Sequence, residues 1–334
     1  VSETFEVSTR LIGALPPGSV TVGLADVVAG PEKDLILNPG QFVIDAACDG
    51  VQIQSPEELQ LLGFTMGVAD VDLDGNADLV GGRVRDIVIS RIGGTGTDRF
   101  LEEARVESAP VPRLDSMFQG IAAGDFDGDG RLDLFASTSN DATSVVSYQE
   151  SDGTYTPVVL NETASSFRNH AADIDGDGID DAMLITPGEN VQVNYGQAGR
   201  TFAAREGLPV GSLPREARTG DVDGDGDLDI IAHTEAGFVV LQQTAPRQFQ
   251  QSHFGPLTNS QYGMAVGDLD GAGNADIVTG SLQGTGIKTS LSLGDGTFAP
   301  PVTADPRFNA DSITLADLDD DGDLDIVAVS PNSL

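Results

Sequence analysis

The chain has little with which to do covalent or redox chemistry. Among its 334 residues are one cysteine, three histidines and no tryptophan. Cys48 stands alone, so no internal disulfide can brace the fold, and its place beside Asp49 and Gly50 reads as a small half-buried residue at a turn. Basic residues number 17 against 53 acidic ones, a formal charge of −36. That balance excludes a nucleic-acid role built on phosphate attraction and argues against anionic membrane surfaces. No apolar run approaches the ~20 residues that cross a bilayer, so no membrane insertion is expected. Neither a His-Glu-x-x-His pair nor a Gly-x-Ser-x-Gly elbow occurs.

Aspartate is abundant, and it is patterned. Asp70, Asp72, Asp74 and Asp78 put carboxylates at positions one, three, five and nine of a loop, and the spelling returns as Asp125, Asp127, Asp129 and Asp133. Asp173, Asp175, Asp177 and Asp181 follow, then Asp221, Asp223, Asp225 and Asp229. Asp268, Asp270 and Asp276 make a fifth copy, and Asp317, Asp319, Asp321 and Asp325 a sixth. Carboxylates so crowded would stand about 4 Å apart, where each like-charged pair costs roughly 4 kcal/mol at an effective dielectric near 20. Such loops need a cation to fold. Hard oxygen donors with no His or Cys cluster beside them select calcium.

The final ligand decides the kind of loop. An EF-hand closes on a bidentate Glu at position twelve, whereas the twelfth residues here are Gly81, Ala136, Leu184, Ala232, Thr279 and Ala328. The EF-hand is excluded. Closure falls to the aspartate at position nine, and the seventh residue, Asn76, Arg131, Ile179, Asp227, Asn274 or Asp323, offers its backbone carbonyl. Ala272 replaces the position-five carboxylate of the fifth copy, so five strong calcium sites and one weak one are expected. An eroded copy from Asp26 to Asp34, with Val28 and Gly30 at ligand positions, is expected to bind nothing.

The copies begin at Asp26, Asp70, Asp125, Asp173, Asp221, Asp268 and Asp317, a period in the forties to fifties that signals repeat architecture. In each unit a run of small and apolar residues enters the loop and a β-rich run leaves it. A second apolar run follows, then a tight turn and an aromatic: Tyr155, Phe202, Phe249 or Phe298. Two hairpins per unit make a four-stranded antiparallel blade whose first and second strands are joined by the acidic loop. Seven units make a single all-β domain over 1–334, a seven-bladed β-propeller. After Asp325 the chain supplies one more strand, and the segment Thr4 to Leu11 reads as the strand that completes the last blade. That blade is then one strand short, and its edge is expected to pair with residues of a longer native tail or with a neighbouring subunit.

At this level the chain resembles the FG-GAP or VCBS repeats of integrin α-chain propellers and of many secreted bacterial proteins. The resemblance rests on Asp125-Phe126-Asp127-Gly128-Asp129-Gly130-Arg131-Leu132-Asp133 and its siblings, and on turns such as Gly294-Asp295-Gly296-Thr297-Phe298. It implies a calcium-binding propeller serving adhesion, glycan binding, polysaccharide cleavage or assembly.

A calcium-held, non-catalytic binding or adhesion module is therefore expected, with a protein or glycan partner on the face opposite the calcium loops. Millimolar calcium outside cells suits such sites, which places the chain in an extracellular, cell-surface or periplasmic setting. No secretory h-region opens the chain, so the reading is that one has been removed ahead of Val1. On that opposite face Arg113, Arg168, Arg215, Arg218 and Arg307 gather with Phe118, Phe167 and Tyr262, a mouth suited to an anionic ligand, since guanidinium forks match carboxylates. The bland reading packs the aromatics between blades and pairs each arginine with a carboxylate. Two alternatives stand beside the binding module. One is a structural or accessory subunit of a surface assembly. The other is a polysaccharide lyase working through Tyr262, His170 and Arg218. The sequon Asn161-Glu162-Thr163 could carry a glycan.

Overall fold

A computed structural model describes residues 21–25, 34–38, 42–44, 53–54, 65–73, 78–82, 86–93, 100–107, 118–138, 143–160, 166, 168–186, 188, 190–254, 261–281, 286–306, 310, 312–317 and 322–329. Every element among them is a β-strand. The loop at Asp26, Cys48, the sequon and the segment Thr4 to Leu11 lie outside the described residues.

Sheets follow the units read from the sequence. Thr21–Ala25, Asp34–Asn38, Phe42–Ile44 and Ile53–Gln54 form blade 1, and Thr65–Ala69, Asp78–Gly82, Asp86–Gly93 and Phe100–Glu107 form blade 2. Blade 3 is Phe118–Gly124, Asp133–Thr138, Ser144–Gln149 and Tyr155–Leu160; blade 4 is Arg168–Ala172, Asp181–Ile185, Asn190–Asn194 and Glu206–Pro209, with a short ribbon of Gly196–Gln197 and Thr201–Phe202. Pro214–Gly220, Asp229–Thr234, Gly237–Ala245 and Gln248–Phe254 form blade 5, and Gln261–Gly267, Asp276–Ser281, Ile287–Ser290 and Val302–Asp305 form blade 6. Of blade 7 two strands are described, Ser312–Ala316 and Asp325–Val329. All pairings are antiparallel, and each acidic loop joins a first strand to a second. First strands touch the first strands of neighbouring blades, and Thr21–Ala25 touches both blade 2 and blade 7. The blades thus stand around a ring.

The second strands explain how the ring packs. Successive strand residues point to opposite sheet faces, and here both faces are covered by a neighbouring blade. Asp133–Thr138 is buried along its whole length: Leu134 and Ala136 join the cluster shared with blade 2, while Phe135 joins the one shared with blade 4. Asp181–Ile185 repeats this, with Ala182 and Leu184 facing blade 3 and Met183 and Ile185 facing blade 5. Continuous apolar runs, not alternating ones, are what a strand covered on both sides needs. Each fully buried Leu, Ile, Val or Phe adds roughly 1.5–3 kcal/mol. The aromatic after each outer turn packs backward onto the preceding blade, as Phe202 does on Phe126 at 5.9 Å between ring centroids.

Small residues end the first strands because the next blade passes close by. A Cβ on Gly220 would lie 2.7 Å from Val266 Cγ1 and 2.8 Å from Ala275 Cβ, and one on Gly124 would lie 2.8 Å from Asp180 Oδ2. No helix among the described residues is long and apolar enough to cross a membrane.

Candidate metal centres at the acidic loops

Each loop is organised by its first and last aspartates, which accept different sets of backbone N–H groups. Asp125 at position one takes those of Gly128 and Asp129 on Oδ1, at 2.8 and 3.0 Å, and that of Gly130 on Oδ2 at 2.7 Å. Asp173, Asp221 and Asp268 repeat the contact to position six at 2.8–2.9 Å. The turn is tight enough that Gly128, Gly130, Gly176, Gly178, Gly224 and Gly226 all have positive φ.

Position nine ties the loop to the blade. One oxygen of Asp133 accepts the N–H of Phe126 at 3.1 Å, and the other accepts that of Gln149, on the third strand, at 2.8 Å. Asp181, Asp229 and Asp276 make the same two contacts. These carboxylates are buried. Burial is the main force pushing Asp133 and Asp181 up to about 7 and Asp229 up to about 6. Backbone N–H donors oppose it, and neighbouring loop carboxylates add to it, Asp127 and Asp129 in the case of Asp133.

Among the described residues three oxygens converge within 4.8 Å of one another in five loops: Asp70, Asp72 and Asp78; Asp125, Asp127 and Asp133; Asp173, Asp175 and Asp181; Asp221, Asp223 and Asp225; Asp268, Asp270 and Asp276. Positions one, three and nine supply four of these trios, and positions one, three and five the other. Ala272 therefore does not prevent its loop from gathering the same trio as its siblings. Asp129 and Asp177, at position five, instead accept the N–H two residues on, from Arg131 and Ile179 at 3.0 Å each. The side chain of Arg131 turns to Asp129 and to the Gln149 carbonyl. Asp227 donates its N–H to Asp225 at 2.9 Å, and the Asn274 side chain lies against Gly224 and Gly294. Asp74, Asn76, Asp319 and Asp321 fall outside the described residues; Asp317, Asp323 and Asp325 fall within them.

One atom tests whether a cation fits. The Asp127 side chain is 6% exposed; its Oδ2 accepts from Arg200 Nε at 2.9 Å, while its buried Oδ1 has no hydrogen-bond partner in the protein. A buried carboxylate oxygen left unpartnered beside two more carboxylates is costly, and a hard divalent ion is the group that relieves it. Asp125, Asp127 and Asp133 would hold that ion, which would offset most of the trio's negative charge.

The unit length, the loop spelling and the repeated geometry now stand together, and five overlapping stretches match one family, the FG-GAP-like repeat: residues 70–136, 125–184, 173–232, 221–279 and 268–328. The chain belongs to the FG-GAP-like repeat family. Among solved structures it is similar to a lectin of Agrocybe aegerita described by its recognition of non-reducing terminal N-acetylglucosamine, with 20% identity over 88% of this chain and 82% of that chain and a TM-score of 0.64. It is also similar to BBS1N in complex with ARL6DN. Crystals of that complex soaked with lead or mercury give 9% and 10% identity, TM-scores of 0.61, and coverage of 95% and 96% of this chain and 90% and 94% of those chains. At these identities the likeness is one of fold. No curated protein sequence matches the chain.

Some residues that fasten the FG-GAP-like units to one another give no sequence signal at the loops themselves. The side-chain amide of Gln149 donates to the Val71 carbonyl of blade 2 at 2.6 Å, and Gln243 does the same to Ile174 of blade 4. Ser292 replaces them in blade 6 and donates to Val222 at 2.6 Å. Their shared position, at or just past the end of the third strand where an N–H meets the position-nine aspartate, is the register signal that could have found them.

At the opposite end of the first strands the arginines meet carboxylates. Arg168 and Arg218 both reach Glu216 Oε1, at 2.9 and 2.5 Å, and Arg215 meets Glu235 at 3.0 Å. Glu216 is buried, and its Oε2 has no hydrogen-bond partner. Phe118 is buried within the blade 2 and blade 3 cluster rather than at a surface. His170 Nε2 lies 2.9 Å from Thr219 Oγ1, and burial, helped by the Arg218 charge, drives its pKa down to about 3. Arg113, Phe167 and Arg307 lie outside the described residues, as does the Tyr262 side chain.

Proposed function

We propose that this chain is a calcium-held, non-catalytic propeller that works outside the cell and presents the loops opposite its acidic loops to a protein or a glycan. The observation that carries the proposal is the convergence of three carboxylate oxygens at the same end of five successive blades. Loops that offer several hard oxygens suit calcium, which accepts six to eight at 2.3–2.6 Å, better than magnesium with its demand for octahedral geometry. Sites of this kind commonly bind at roughly 10⁻⁴ to 10⁻³ M in extracellular modules, so they fill where calcium is millimolar.

With one end of the ring committed to ions, the other end is left for recognition. Propellers of similar fold bind a terminal N-acetylglucosamine in the Agrocybe aegerita lectin and a protein in the BBS1N complex, which supports both partner classes. The half-exposed Arg168 and Arg218, gathered on the buried Glu216, favour a partner carrying anionic or hydrogen-bond-accepting groups. His170, held at Thr219 and kept neutral, supports a non-catalytic reading over a lyase.

The test is equilibrium dialysis with calcium, followed by a screen of immobilised glycans and secreted proteins in calcium and in EGTA. Uptake of several calcium ions per chain and a partner lost on Arg218→Ala are expected. Absence of bound calcium at millimolar concentration, or release of unsaturated product from an anionic polysaccharide, would overturn the reading.

A further inference from the structure

Two of the acidic loops meet a cation that belongs to the chain itself. In blades 4, 5 and 6 the outer turn reaches back to the blade before it, and the residue two places ahead of the turn's aromatic lies at that contact. In blades 4 and 5 that residue is Arg200 and Arg247; in blades 3 and 6 it is Gly153 and Gly296. All four adopt the left-handed backbone, with φ of 63° and 60° at the arginines and 79° and 75° at the glycines. Glycine is the ordinary choice for that backbone, and a long side chain is held there only where its contacts require it.

The contacts are with metal ligands. Arg200 donates Nε to Asp127 Oδ2 at 2.9 Å, holds Glu150 through both terminal nitrogens at 2.5 and 3.0 Å, and lies over the Tyr148 ring at 5.2 Å. Arg247 donates Nε to Asp175 Oδ2 at 2.5 Å and lies over the Tyr195 ring at 4.2 Å. Tyr148 and Tyr195 occupy equivalent positions, each one residue before the N–H donor to the position-nine aspartate, and in blade 5 that position is Gln242. There the Gln242 amide reaches Asp223 Oδ2 at 3.3 Å, and a Cβ on Gly296 would collide with it. At these three junctions tyrosine goes with arginine twice and glutamine with glycine once; opposite Gly153 the equivalent position in blade 2 is Arg91.

We infer that Arg200 and Arg247 are resident cations that stand in for part of the ion's charge, so that the loops of blades 3 and 4 close with less help from metal than the loop of blade 5. This rests on the metal reading above. In the Asp127 loop the guanidinium takes one carboxylate oxygen and leaves the other for the ion. Two like charges that share one carboxylate each reduce the gain from the other, and the coupling is reciprocal.

Arg200→Gly and Arg247→Gly install the residue that sibling turns carry at the same φ, and Arg200→Lys with Arg247→Lys keeps the charge. Melting of the parent and each double variant is measured in excess calcium and in EGTA, with single variants read where a double variant does not fold. The glycine variant is expected to lose at least twice as many degrees in EGTA as in calcium, and to bind calcium several-fold more tightly by titration calorimetry. The lysine variant should respond to EGTA like the parent. Equal losses in the two media, or a larger loss in calcium, would overturn the inference while leaving calcium binding intact. A parent that takes up no calcium by dialysis would instead defeat the metal reading, and this inference with it.

Discussion

Asp229 accepts the backbone N–H of Gln243 at 2.8 Å on one carboxylate oxygen and that of Val222 at 2.9 Å on the other. It is buried, and in its loop the converging trio is Asp221, Asp223 and Asp225, without it. The last aspartate of the loop is thus a clasp between two strands, whatever else it ligates. Asp229→Asn keeps the shape but turns an NH2 group toward a backbone N–H, at a cost of about 1–3 kcal/mol for the donor left unsatisfied. The expected fall in melting temperature is roughly 2–6 °C, present in calcium and in EGTA alike. Asp223→Asn, a trio member, should lower melting in calcium and raise it slightly in EGTA, where one repelling charge is gone. Identical patterns for the two variants in circular dichroism melts would sink the distinction.

The side chain of Gln243 reaches further, to the Ile174 carbonyl of blade 4 at 2.6 Å. Gln243→Ala leaves that buried carbonyl without this donor, and a loss of about 1–3 kcal/mol is expected. Because the contact joins two blades rather than closing a loop, the loss should not depend on calcium. Hydrogen exchange should report it as faster exchange on both strands that flank the junction. Unaltered exchange in blade 4 would show that the blades hold together without it.

The acidic loops were legible because carboxylate chemistry is local: Asp125 to Asp133 lie within nine residues, and their repulsion can be argued without knowing what surrounds them. Blade boundaries were legible for a similar reason, since each strand pair is joined by its own loop. What could not be read was which neighbour each residue meets across a junction. Arg200 lies far from Asp127 in sequence, and nothing in its own turn tells that it takes the place that Gly296 holds elsewhere. Phe118 shows the same limit from the other side. An aromatic at the start of a first strand can face solvent or core, and here it joins Ile87 and Leu134 in the core. Asp133 was legible as a candidate ligand, but its role as a clasp required the register between Asp133–Thr138 and Ser144–Gln149.

Gly220 makes the packing argument testable. Its Cβ-free backbone lets Val266 and Ala275 of blade 6 approach, at distances of 2.7 and 2.8 Å from where a methyl would stand. Both neighbours are themselves fixed, Ala275 by its N–H to the Asp221 carbonyl at 2.7 Å. Gly220→Ala should therefore strain the junction by about 1–3 kcal/mol, where the same exchange at an unconstrained strand position would stabilise it slightly. A melting temperature equal to or above that of the parent would mean that the blades separate easily at this point.

The response to pH should change sign with calcium. Asp133 and Asp181 are pushed up to about 7 and Asp229 to about 6, chiefly by burial, against 3.8 for the ordinary carboxyl group. A carboxyl group raised in the folded state binds its proton more tightly there than in the unfolded chain. It contributes stability below its ordinary value, and that contribution is lost as pH rises through 6 to 7. In EGTA the melting temperature should therefore rise as pH is lowered from 8 to 6.5. Over that interval the half-buried His170, held down at about 3, is neutral in the fold, and its unfolded value of 6.5 has only begun to matter. With excess calcium Asp133 and Asp181, members of their converging trios, are ionised around the ion, protons compete with it, and acidification should lower the melting temperature. Parallel melts at four pH values with and without EGTA measure both slopes. Slopes of the same sign would mean that the buried aspartates do not exchange a proton for an ion.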